Sequence, residues 1–427
     1  MLDLLVRQAI LNDRPTPCDI ACKDGRIIEI APRIDAEARE IVDAGGCFVT
    51  PPFVDVHFHM DATLSLHGQP RRNESGTLLE GIALWSDLKP QQTAEKFKQR
   101  AKKLLTWSIS RGILAIRTHV DTCDPSLMAV QVLLELREEM KTYVDLQLVA
   151  FPQDGYLRDP KAMEQTQKAL DMGVDVVGGI PHFERTMAQG AESVRLLCEL
   201  AAERGLMVDM HCDESDDPLS RHVESLALET VRLGLQGRVT GSHLTSMHSM
   251  DNYYISKLLP LMAEAQMHAV CNPLVNMVLQ GRHDTYPKRR GLTRVKELLA
   301  AGINVCLGHD DVLDPWYPLG THDMLEVAHM GIHALHMSGI GEMNELFNAV
   351  TTRSAAAMGL EGYGIQEGFN ADMVVLQGRD PIEAIRLRGP RLAVIRRGQV
   401  LARSAPLASE LILDGETTTV DFTLDSF

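Results

Sequence analysis

The chain has 427 residues and carries 42 lysines and arginines against 58 aspartates and glutamates, a formal net charge of −16. Nucleic acid and anionic membrane surfaces both select a basic footprint, so neither is expected as a main partner, and a small neutral molecule fits better. No apolar run reaches the roughly 18 residues that cross a bilayer, and Met1-Leu2-Asp3-Leu4-Leu5 lacks the basic start and cleavage site of a secretory leader.

In chain order, the first 49 residues hold short strand-like runs broken by turn signals. Lys23-Asp24-Gly25-Arg26, ahead of Ile27-Ile28-Glu29-Ile30, is a hairpin signature. From about Thr50 to Leu360, apolar strands alternate with amphipathic stretches such as 94–111 and 220–233, the rhythm of βα units around a parallel sheet. Eight strand candidates end near His57/His59, His119, Gln153, His182, His211, His243, Asn272 and Asp310. Eight strands close a barrel, and barrel enzymes carry their chemistry at the carboxyl ends of those strands. Past Gly364 short strands return at 372–376 and 392–400. Neither end of the chain is long enough to fold alone. The predicted architecture is therefore α/β: a (β/α)8 TIM barrel over residues 50–364, inserted in a small discontinuous β-sandwich domain made of residues 1–49 and 365–427. The eight cysteines are scattered, mostly inside apolar runs, which reads as buried thiols in a reducing compartment and predicts a cytoplasmic location.

Successive side chains on a strand point to opposite faces, so His57 and His59 share a face while Phe58 turns away. An HxH pair alone is weak in a chain with 16 histidines. Order and context add the weight, because His211, His243 and Asp310 each close a short apolar run in the same way. Together these residues describe one metal site. Ligand type alone leaves Zn2+ and Fe2+ equally suited.

These segments are Pro51-Pro52-Phe53-Val54-Asp55-Val56-His57-Phe58-His59, Phe151-Pro152-Gln153, Pro181-His182-Phe183-Glu184, His211-Cys212-Asp213-Glu214, Asn272-Pro273-Leu274-Val275-Asn276, Pro287-Lys288-Arg289-Arg290-Gly291 and Gly308-His309-Asp310-Asp311. With them in place the chain resembles the amidohydrolase superfamily and, within it, the bacterial cytosine deaminases, over almost its whole length. The resemblance implies that His57, His59, His211 and Asp310 bind one divalent ion, Fe2+ or Zn2+. Members with two metals commonly use a lysine or glutamate at the end of the fourth barrel strand, and Pro181-His182 offers no lysine there. It also implies hydrolytic deamination of cytosine to uracil and ammonia, extending to 5-substituted cytosines, and a homo-oligomer.

Within that reading Asp310 and His243 accept the proton of the attacking water and orient it. Glu214, three residues past His211, is the acid that protonates ring N3. Gln153, with a donor and an acceptor, matches the N1–H and C2 carbonyl edge of the ring. Trp316 would cover the ring face and Asp311 would meet the exocyclic edge. Leu313 stands where such deaminases often carry phenylalanine, which predicts more room beside the ring. Nothing in this scheme requires His119, His182 or His309, and the run Lys288-Arg289-Arg290 is expected as a solvated or ion-paired loop. Two further functions compete: deamination of another amino-heterocycle (5-methylcytosine, isoguanine, creatinine) by the same machinery, and a non-catalytic metal-containing barrel or heterocycle-binding protein. The unrelated small zinc deaminases use H-x-E with P-C-x-x-C. His182-Phe183-Glu184 has the first element, but Cys18 to Cys22 is one residue too long for the second.

Overall fold

In the computed structural model, which describes residues 1–69 and 71–424, the chain opens with β1 (Leu2–Leu11), β2 (Arg14–Lys23), β3 (Arg26–Ala31), β4 (Ala38–Asp43) and β5 (Phe48–Thr50). The hairpin read at Lys23–Arg26 is present, with Asp24 and Gly25 at φ of 51° and 75°, the pair of left-handed residues that a tight primed turn needs. β1 pairs with three strands. Its first part runs parallel to β4, and Ile10 pairs with Phe48 of β5. The register against β2 shifts between Val6 and Ala9, where Gln8 has φ of 52°, and such a bulge bends one strand between two sheet faces.

Eight strands follow: β6 (Phe53–Phe58), β7 (Ile113–Asp121), β8 (Asp145–Phe151), β9 (Val176–Gly179), β10 (Met207–Cys212), β11 (Val239–His243), β12 (His268–Cys271) and β13 (Asn304–Leu307). Each lies beside the next in one parallel sheet, and helices such as Ala94–Ser110, Met187–Arg204 and His222–Leu233 fall between them. The ring closes just past β13. There the His59 amide donates to the Asp310 carbonyl at 2.9 Å, and the Asp310 amide donates to the His57 carbonyl at 3.0 Å. Gly308 permits this approach, since a Cβ on it would stand 2.9 Å from His57 Cβ and 2.5 Å from Asn272 Oδ1. The alternation of strands and helices has thus built a (β/α)8 barrel. Its strands are buried on both faces, as a parallel sheet covered by helices requires.

The chain then returns to the first sheet with β14 (Met373–Leu376), β15 (Arg391–Arg396) and β16 (Gln399–Arg403). β14 pairs antiparallel with β5, so the order β16-β15-β14-β5-β1-β2-β3, with β4 on β1, draws on both ends of the chain. The apolar run 392–400 is two strands rather than one, split at Arg397 and Gly398 with φ of 50° and 74°. Leu4, Val6, Ile20, Val49, Val375 and Ile395 form part of a core between the sandwich faces, separate from that of the barrel. Arg391 of β15 crosses between the two units. It is buried, donates from Nε to the Arg111 carbonyl at 2.8 Å, pairs with Asp323 and lies 5.1 Å above the Phe53 ring. Strands β17 (Ser409–Leu413) and β18 (Glu416–Val420) pair only with each other. Among the described residues no helix is long and apolar enough to cross a membrane. All eight cysteines are free thiols.

Candidate active site

Strand alternation sends His57 into the barrel mouth and turns Phe58 outward, where its ring stacks on His322 with centroids 4.4 Å apart. His57, His211, His243 and Asp310 are all buried and offer ligand atoms within 4.8 Å of one another. His59 adjoins them, its Nε2 2.9 Å from His211 Nε2 and 3.5 Å from Asp310 Oδ1. The structure therefore brings together every residue expected of the metal site. His243 and Asp310 hold left-handed backbone, with φ of 69° and 73°, which costs about 1–3 kcal/mol at a residue that is not glycine.

The donor set fits a divalent cation. His57 Nε2 is buried without a hydrogen-bond partner, and His59 Nε2 and His211 Nε2 face each other at 2.9 Å, an arrangement native interiors rarely tolerate unless a ligand completes it. Burial, then the neighbouring imidazoles, holds His57, His211 and His243 well below the usual histidine range, and burial takes His59 down to about 3. These rings are therefore neutral, with lone pairs free. Burial, then Glu214, Asp314 and Asp55, pushes the Asp310 carboxyl well up. A cation would relieve both the orphaned nitrogens and the crowded acids.

The tautomer of His243 can be read from its support. The Asn272 amide donates to Asn276 Oδ1 at 3.2 Å, which leaves Asn276 Nδ2 facing His243 Nδ1 at 3.0 Å. Nδ1 must then accept, and the neutral ring carries its proton on Nε2, as a donor. In this tautomer His243 presents a donor, and of the two residues expected to accept the water's proton Asp310 is the one that offers a carboxylate.

Glu214 stands in the turn after β10, its Oε1 3.7 Å from His243 Nδ1. Burial pushes its carboxyl up to about 8, while the Gln280 amide beside it pulls the other way. Gln280 Nε2 completes no well-formed hydrogen bond, so its hold on Glu214 is marginal and burial decides. The turn itself is fixed by Asp213, whose carboxylate receives His222 Nδ1 at 2.7 Å and the Val223 amide at 2.8 Å.

These groups face a cavity of about 110 Å3 that Gln153, Asp311 and Trp316 also line. Gln153 lies two residues beyond the end of β8 rather than on it. Trp316 rests on the helix Leu78–Leu88, where a Cβ on Gly81 would come within 2.6 Å of its ring. That helix lends Leu78, Leu79 and Ile82 to the cavity wall. Leu313 is not part of the lining. Its backbone is left-handed at φ of 52° and its amide donates to the Leu319 carbonyl at 3.2 Å, so the side chain packs against the barrel core. The helix, with Phe151, Ile180, Phe183 and Leu279, and not Leu313, accordingly forms the apolar part of the cavity wall.

Two residues given no role on sequence grounds belong to the site. His182 lines the cavity with a buried, unpartnered Nδ1, and His119 Nε2 stands 3.0 Å from His57 Nδ1. His119 lies two residues before the end of β7 and His182 three residues past the end of β9, so position at a strand's carboxyl end was the signal available for them. His309 is supporting structure, its Nδ1 facing the Asp311 carbonyl at 3.0 Å. The basic run is the ion-paired loop expected, with Arg289 gripping Asp284 at 2.6 and 2.8 Å.

The pattern of the amidohydrolase family matches residues 40–419. A 5-methylcytosine deaminase from Klebsiella pneumoniae, solved with 5-fluorocytosine, superposes with a TM-score of 0.91 at 42% identity, over 94% of this chain and 98% of that one. N-isopropylammelide isopropyl amidohydrolase of Pseudomonas sp. (strain ADP) is 31% identical over 94% of this chain and 97% of its own. Pterin deaminase of Rhizobium rhizogenes is 31% identical over 92% and 90%.

Proposed function

The chain belongs to the amidohydrolase family and is a hydrolase of C–N bonds, and from that premise we propose that it deaminates cytosine and 5-substituted cytosines, 5-methylcytosine above all. One observation carries the reading: a buried acid, Glu214, and a ring-edge amide, Gln153, face the same cavity as the imidazole and carboxylate cluster. A purely structural metal site needs ligands but no unligated acid beside them. The apolar wall of Leu78, Leu79 and Ile82 supports a methyl-bearing ring, as does the likeness to the Klebsiella enzyme.

We assign one divalent ion, Fe2+ or Zn2+, to His57, His59, His211 and Asp310. Such an ion, when bound, supplies the Lewis acidity that makes water reactive at neutral pH. Gln153 pairs with N1–H and the C2 carbonyl, Trp316 covers the ring face, and Asp311 meets the exocyclic edge. As water adds to the amino-bearing carbon, Glu214 protonates N3 and the His243 Nε2–H donates to the incoming oxygen. Asp310 takes one proton of the water and returns it to the departing amine, the other passes from the new oxygen back to Glu214 as the carbonyl forms, and ammonia leaves with uracil or its 5-substituted analogue. Thiol usage supports a reducing compartment such as the cytoplasm, and the family resemblance supports a homo-oligomer.

The test is ammonia release by protein loaded with Fe2+ or Zn2+ from cytosine, 5-methylcytosine, isoguanine and creatinine. The two cytosines are expected to give the highest kcat/KM. A tenfold lead for isoguanine or creatinine would replace this substrate, and silence on all four would favour a non-catalytic barrel.

A further inference from the structure

The contact between His119 and His57 has no counterpart in the chemistry described so far. His119 lies in β7, two residues before its end, is fully buried, and sets its Nε2 3.0 Å from His57 Nδ1. The other nitrogen of His57, Nε2, stands 3.3 Å from Asp310 Oδ1 and has no hydrogen-bond partner. An imidazole can give a lone pair to a cation through Nε2 only when its proton sits on Nδ1. For His57 that proton has one acceptor within reach, His119 Nε2.

We propose that His119 is a positioning residue for the ion: it accepts the Nδ1–H of His57 and so locks His57 in the ring orientation and tautomer that present Nε2 to the cation. His119 in turn must carry its own proton on Nδ1, which is buried and unpartnered. The opposite alignment, with His119 Nε2–H aimed at His57 Nδ1, would put the proton of His57 on Nε2 and close that nitrogen to a cation. Asp209 Oδ1, 3.8 Å from His119 Nε2, is already held by Ser242 Oγ at 2.7 Å, and its Oδ2 by Arg117 Nη1 at 2.9 Å. Cation binding therefore selects one tautomer for each ring, with no proton lost from the pair. Partners of this kind on a ligating histidine are worth about 10- to 100-fold in metal affinity.

The inference rests on the proposed ion site, and the experiment separates the two. Full-length protein stripped of metal is titrated with Zn2+ against a chromophoric chelator, and with Co2+ while its visible absorption is followed. Wild type should take up one equivalent. His119→Phe, which fills the space without an acceptor, should bind Zn2+ about 10- to 100-fold more weakly and shift the Co2+ bands. His119→Gln, whose Oε1 can accept, should recover most of the affinity. If the phenylalanine variant does not fold, His119→Met against His119→Gln gives the same comparison. Equal affinity in wild type and the acceptor-free variant, or equal loss in both variants, would overturn the role of His119. Wild type that takes up no Zn2+ would overturn the ion site and this inference together.

Discussion

Glu214 is the residue on which the proposed chemistry turns, because burial favours its acid form at neutral pH while His211, three positions earlier, joins the cluster beside it. Replacing it with glutamine keeps the shape and removes the proton. Glu214→Gln should retain wild-type metal content and lose about 100- to 10,000-fold in kcat, read by elemental analysis beside steady-state kinetics. The acid must be protonated to act, so activity is present below its pKa and lost as pH rises through it. With the carboxyl between its ordinary 4.5 and about 8, a bound cation drawing it down from the upper end, the alkaline fall of kcat should lie inside that window and vanish in the glutamine variant. The spacing from His211 made Glu214 legible in the sequence. The proton on His243 was not, since it depends on Asn272 and Asn276 beyond the next strand, and no local pattern encodes a tautomer.

At the scale of elements, the alternating strands and their polar termini were readable because burial on both faces forces apolar runs, and because each run stops where a ligand begins. The wall of the cavity was not readable. Leu78, Leu79 and Ile82 sit on a helix within the β6–β7 connection, and apolar residues at that spacing look like ordinary packing. Leu313 misled for the complementary reason: its place in the chain suggested the pocket, but its left-handed backbone directs it into the core. The helix meets the turn that carries Trp316 through Gly81, and through Asn73 Nδ2 donating to the Pro315 carbonyl at 3.0 Å. Gly81→Ala should force the two apart and lower kcat/KM for 5-methylcytosine about 10-fold, within the range that small misplacements cost, with the loss mainly in KM. Parallel kinetics on cytosine would show whether the wall reads the methyl group.

For the whole molecule, the sandwich is completed only when the chain returns to β5 at Met373–Leu376, and Arg391 ties that return to the barrel. Burial alone would raise the Asp323 carboxyl, but the Arg391 and Arg111 guanidiniums outweigh it and hold Asp323 below its usual range. Burial draws the Arg391 value down as well, yet it starts above 12 and the guanidinium stays charged. A carboxyl lowered on folding stabilises above its unfolded pKa, and that contribution fades as pH falls through the folded value. Arg391→Met should cost about 3–5 kcal/mol at pH 7 by stranding a buried charge and should flatten the acid limb of stability below roughly pH 4. Denaturant unfolding followed across pH measures both. The return to β5 was foreseen from two strand-rich ends too short to fold alone, whereas the side chain that fastens it lay hidden among 42 basic residues.

The left-handed joints at His243 and Asp310 set the chemistry apart from the frame that carries it. Glycine would relax either joint, so selection for robustness and selection for turnover pull in opposite directions at these two positions. Because these two joints sit at or just past the strand ends, neighbouring loops are free to drift toward new substrates while the scaffold beneath stays unaltered, which makes this architecture readily evolvable.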